Sequence, residues 1–296
     1  MESRYPAHTT NNIKACTVRR KLPVLEIAFL SYKTGLQTIG GPFLAAWPFL
    51  FLSVLLSVLT IPEISGALGQ LISPLPYTGS FVFGLLLDAL TTYPLTYLWL
   101  RHHLIEHGDS LYRDDRSRWF FRHTGFRSFM NITLGLNALH YLTSYSLLTV
   151  NSYLSLMLTD FVPTPLANIF MPVAMFGALF VLALFLRIVL VVPSAARADR
   201  APQVTLVSAW CLTQGALLPL IGIVLMFEAP LFALNFGHQT MSEYVDGPLT
   251  DTTLPILNAL LTLPNLFFLY IECIALAEVY SRLVRGTSIL LPDDSP

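Results

Sequence analysis

Asp88, His140, Glu228 and Glu272 each interrupt an apolar run long enough to cross a bilayer. Carboxylates and imidazoles in such a setting can bind a cation or relay a proton. A charge near the bilayer centre costs about 2.5–3.5 kcal/mol on insertion scales, so these groups face a bundle interior and mark a path or a site. At the helical rise, Asp88 lies about 20 Å from Arg101 and Glu272 about 15 Å from Arg282, too far for ready neutralisation. Asn258, Thr262 and Asn265 share an apolar run with Glu272 and could hydrogen-bond it. The plainer role for the same residues is polar glue between helices. Arg187 is the one basic residue inside an apolar run. It either snorkels to the inner headgroups or pairs with Glu278.

Two further sets carry chemical possibilities. His103-Leu104-Ile105-Glu106-His107 has the H-x-x-E-H form of inverted zinc peptidases, in which histidines at i and i+4 share one helix face and grip a metal. No third ligand is evident near it, and the plain alternative is a solvated helix end whose imidazoles meet the carbonyl terminus. No cofactor is expected. The second set interleaves Arg113, Arg116, Arg118, Arg122 and Arg127 with Trp119, Phe120, Phe121 and Phe126. Such a stretch reads as a helix in the headgroup plane, aromatic face down, with its cations on anionic lipid. Residues 22–39, with Leu25, Phe29, Tyr32 and Leu36 at helical spacing, and residues 203–213, with Trp210, read the same way. Cations committed to a membrane surface leave no basis for nucleic-acid binding.

The elements that must hold these residues follow from composition. Of 296 residues 54% are hydrophobic and only 12% charged, about half the usual charged share, so a bilayer rather than water is the expected solvent. Six runs approach the roughly 20 apolar residues a spanning helix needs: about 42–62, 79–100, 129–152, 168–192, 215–236 and 254–280. Asn131, Asn137, His140 and Ser144 make the third the weakest, and Pro94 and Pro264 kink the second and sixth. The 17 lysines and arginines cluster at the amino-terminal tail, at 101–127, at 187–200 and at Arg282 and Arg285. They alternate with acidic connections near Glu63, Asp160 and Asp246 that hold no cation. Basic loops stay in the cytoplasm, so both termini are expected inside.

The expected fold is therefore all-α: a polytopic integral membrane protein of six transmembrane helices with short cytoplasmic interfacial helices. Residues 1–21 form a cytoplasmic tail, 22–285 one membrane domain, and 286–296 a second tail. An interfacial helix, then a glycine (Gly41, Gly125, Gly215), then a hairpin occurs three times, suggesting units at 22–108, 109–200 and 201–285. Cys16, Cys211 and Cys273 fall in no proposed external loop, so no disulfide framework is implied.

The segments Arg187-Ile-Val-Leu-Val-Val-Pro193, Ala209-Trp210-Cys-Leu212-Thr213-Gln-Gly215 and Leu220-Ile-Gly222 resemble the YciC-type bacterial inner-membrane proteins. They also resemble the membrane region fused to some glycerophosphodiester phosphodiesterases. Tyr280-Ser-Arg282-Leu283-Val-Arg285 is similar to that family's closing pattern with one residue extra, while Ala209 and Gln214 depart from its serine and basic residue. The resemblance implies a six-helix architecture and a bacterial cytoplasmic membrane. It implies no phosphodiesterase chemistry, which belongs to a soluble barrel for which this chain has no room.

No nucleophile elbow, phosphate-binding glycine loop or Cys-x-x-Cys occurs. The leading expectation is a non-enzymatic membrane-organising or accessory protein contacting anionic lipid or a partner complex, with a homo-oligomer also open. The alternative is a small transporter or channel using Asp88, Glu228 and Glu272. A membrane metallohydrolase around His103 and His107 stands third.

Overall fold

The computed structural model describes residues 22–59, 85–104, 125–139, 142–143, 180–197, 204–244 and 250–285, and every element among them is helical. Helices α1 (Val24–Thr38), α2 (Gly40–Ala45) and α3 (Trp47–Leu59) follow one another with single-residue breaks. Then come α4 (Thr92–Leu104), α5 (Val191–Arg197), α6 (Leu206–Leu212), α7 (Leu217–Tyr244) and α8 (Thr250–Tyr280), the last passing into a π-helical turn over Ser281–Arg285. Residues 85–90 lead helically into α4, and 125–139 form a further helical stretch.

Three helices are long and apolar enough to cross a membrane: Phe180–Arg197, Leu217–Leu234 and Leu261–Val284. They fall on the fourth, fifth and sixth expected runs. The first run holds the shorter apolar helix Trp47–Leu56. The second and third are described only in part, and six crossings are not shown. Helices α7 and α8, of 28 and 31 residues, run about 42 and 46 Å, longer than a hydrocarbon core of about 30 Å.

Helix α8 is the hub, packing on α1, α3, α4 and α7. Three contacts fix how α1 meets it: Glu26 with Arg282, Gly35 with Ile271 and Ile274, and Thr38 with Tyr270. As numbers rise along α1 they fall along α8, so the two are antiparallel. The stretch 22–39, expected as a helix in the headgroup plane, thus packs lengthwise along α8. The side of α1 turned inward carries Ile27, Ala28, Ser31 and Gly35, mostly small residues that permit close approach. The apolar stripe of Leu25, Phe29 and Leu36 points outward and is exposed. Periodicity located the stripe; the small residues opposite it decided which side packs.

Prolines shape the remainder. Pro42 and Pro48 cannot donate to the helical ladder, and the chain breaks at Ile39 and Ala46 just before them. Pro230 sits inside α7 and leaves the Met226 carbonyl without its helical donor. The Tyr32 hydroxyl of α1 donates to that carbonyl at 3.1 Å. Gly222 of α7 meets Val24 so closely that an added Cβ would lie 3.2 Å from its side chain. Helix α1 is thus seated between α7 and α8.

The buried centre is aromatic. Trp99 stacks on Phe43 and meets Tyr270 edge-on, and its indole N–H points at the Pro42 carbonyl at 3.4 Å. Tyr97 contacts Phe126 and Phe129, while Asn137 Nδ2 donates to Tyr93 Oη at 2.6 Å. One of the polar residues that weakens the third apolar run therefore has an internal partner on α4.

Candidate functional site: an acidic cavity between four helical segments

A cavity of about 420 Å³ opens between α3, α7, α8 and the segment entering α4. Helix α8 contributes Thr262, Asn265, Leu266, Leu269 and Glu272, spaced so that they share one face. Across from them stand Glu228 and Leu231 of α7, Ser53 and Leu56 of α3, and Leu87, Thr91 and Thr92. Among the described residues two carboxylates, one amide and four hydroxyls line the space, and no lysine, arginine or histidine does.

Two of the acids singled out from the sequence, Glu228 and Glu272, therefore face the same cavity, although 44 residues separate them in the chain. Asp88 is not on its wall. Its Oδ1 accepts a 3.1 Å hydrogen bond from Thr92 Oγ1, one helical turn on, and Thr92 is a wall residue. Asp88 thus adjoins the cavity through that threonine. Thr91 Oγ1 is turned back to the Leu87 carbonyl at 2.8 Å. Thr262 and Asn265, expected as partners for Glu272, line the same wall. Ser53, Thr91 and Thr92 had not been picked out. Their signal was faint: hydroxyls are common in spanning helices, and nothing local tells which face they occupy.

The nearest cation along α8 is engaged elsewhere. Arg282 Nε donates to Glu278 Oε1 at 2.5 Å, and its Nη2 donates to Glu26 Oε1 at 2.6 Å. The possible pairing of Arg187 with Glu278 is corrected by this, because Glu278 is fully buried against Arg282. Arg187 instead lies over the Trp210 ring, 4.9 Å from its centroid.

His103 occupies a different part of the interior. Its Nε2 is 3.2 Å from Tyr270 Oη, which is 2.7 Å from Thr38 Oγ1, and Thr38 Oγ1 donates to the Thr34 carbonyl. Each hydroxyl has one proton, so Tyr270 must donate to Thr38 and His103 to Tyr270. That count fixes the tautomer with hydrogen on Nε2. Glu106 and His107 of the proposed zinc motif lie outside the described residues, and no three His, Cys, Asp or Glu side chains gather as a metal site among the described ones. His140, Arg113, Arg116, Arg118, Trp119 and Arg122 also lie outside them; Arg127 is described and exposed.

At the turn into α7, Thr205 and Ser208 cap α6 reciprocally: the Ser208 N–H donates to Thr205 Oγ1, and the Thr205 N–H to Ser208 Oγ. Thr213 Oγ1 reaches the Arg187 carbonyl at 3.0 Å, and Gly215 turns the chain at φ +86°. Gly41, its counterpart in the suggested repeat, lies inside α2 instead. No family model, no curated protein and no solved structure matches this chain.

Proposed function

We propose that this all-helical, multi-pass membrane protein is a small transporter or channel, and that Glu228 and Glu272 receive a small cation or a proton within the membrane. The supporting observation is that both carboxylates line one cavity whose wall, among the described residues, carries no basic side chain. Carboxylate, amide and hydroxyl oxygens are hard ligands suited to an alkali or alkaline-earth cation or a protonated amine. An acid held in an apolar span without a counter-charge is stabilised by taking up a proton or a cation, which is the elementary step of coupled transport. Asp88, hydrogen-bonded to the wall through Thr92, is a second station beside that site.

The test is flux in proteoliposomes. Glu228→Gln and Glu272→Gln keep the shape and remove the charge, so each is expected to abolish cation-driven or proton-driven flux while the protein still elutes as a folded species. Unchanged flux in both variants would sink the proposal. Thr262→Val is expected to weaken flux without abolishing it, since a single hydroxyl ligand is lost.

The membrane-organising role draws on a separate observation, the exposed Leu206, Val207 and Trp210 of α6 beside Arg187. A bacterial cytoplasmic membrane, with both termini inside, is the compartment we propose. Its support is the alternation of basic and acidic connections and the resemblance to the YciC-type proteins.

A further inference from the structure

Arg187 carries a charge within the helix Phe180–Arg197, one of the three able to cross a membrane. Both ion pairs found among the described residues belong to Arg282, and neither involves Arg187. Among the described residues the guanidinium meets the face of Trp210. At the headgroup level a guanidinium whose contact is an aromatic face keeps its N–H donors open to an anion.

The surroundings say which kind. Trp210 is 43% exposed, and on the same short helix Leu206 and Val207 are 54% and 76% exposed. A soluble anion gains nothing from an apolar, aromatic rim, whereas an amphiphile with a phosphate head and acyl tails matches both halves. Tryptophan beside a cation is also the composition of membrane interfaces. The seat is held in place from below: Thr213, at the end of α6, bonds the carbonyl of Arg187 itself, and the reciprocal Thr205–Ser208 cap fixes the other end. We propose that Arg187 and Trp210 form a binding seat for the phosphate of one anionic phospholipid, with Leu206 and Val207 against its acyl chains.

Purified protein relipidated with phosphatidylglycerol or with phosphatidylcholine would be examined by native mass spectrometry, counting retained lipid. Wild type is expected to keep one phosphatidylglycerol in preference to phosphatidylcholine, whose ammonium offsets its phosphate. Arg187→Gln is expected to weaken that retention about fivefold, the effect of one interfacial cation. Arg187→Lys keeps the charge without the planar stack, and Trp210→Leu removes the ring; each should give an intermediate loss. These variants carry the test should Arg187→Gln fail to fold. Equal retention of the two lipids, undiminished retention in the Arg187 and Trp210 variants, or displacement of the lipid by excess glycerol phosphate would overturn the proposal.

Discussion

Tyr32 and Tyr280 show how differently two buried or half-buried phenols behave in one bundle. The Tyr32 hydroxyl supplies the donor that Pro230 withholds from the Met226 carbonyl. In a bilayer no water can take over that duty, so removing the hydroxyl leaves a carbonyl unsatisfied. Tyr32→Phe is expected to destabilise the fold by about 1 kcal/mol, the usual scale for a polar contact between membrane helices. The Tyr280 hydroxyl is buried and has no hydrogen-bond partner among the described residues. Tyr280→Phe should therefore be neutral or stabilising. Unfolding titrations in mixed detergent micelles distinguish the two; equal losses for both variants would refute this account of Tyr32. The same locality explains what the sequence could disclose. Glu228 and Glu272 stand out because an acid in an apolar run is costly wherever it points. The Tyr32–Met226 contact joins residues 194 apart and has no local signature. Pro230 announces a missing bond in α7, but nothing in the chain says which neighbour repairs it.

At the scale of elements, the close approach of α1 and α8 depends on one absent side chain. A Cβ on Gly35 would sit 3.0 Å from Ile271 Cγ1, with Ile274 close behind. Gly35→Leu would force the helices apart and should cost about 1–3 kcal/mol as overpacking. Gly237 on α7 has open space around it, so Gly237→Leu should be tolerated. Thermal unfolding of the two variants side by side is the measurement; a Gly35→Leu protein as stable as Gly237→Leu would show that α1 does not seat there as described. Helical periodicity found α1 and the apolar stripe through Leu25, Phe29 and Leu36. It could not orient the helix, because a stripe facing lipid and a stripe facing a core have the same period. The inward side was marked by small residues, Ala28, Ser31 and Gly35, whose value lies in what they leave empty. The cavity was legible only by halves for the same reason. Its α8 wall follows from spacing, while Ser53 and Thr92 reach it through the tertiary arrangement alone.

For the whole molecule, the contact between Arg282 and Glu26 carries a consequence for topology. Groups 2.6 Å apart share one depth and one side of the membrane, so the chain between them must cross an even number of times. Three helices able to cross are described, which means that at least one more crossing lies between these two residues if all three span. In the topology we propose, the alternation of basic and acidic connections gives six crossings, with Arg282, Arg285 and the lysines and arginines of the tail in the cytoplasm. Reporter fusions placed after Glu63, Asp160 and Asp246 are expected to report the periplasm, and one placed after Arg285 the cytosol. A cytosolic signal at Asp160 alone would remove the third and fourth crossings as drawn and leave the acidic cavity intact. Opposite signals at residues flanking Glu26 and Arg282 would contradict the ion pair itself, and with it the antiparallel seat of α1 on α8.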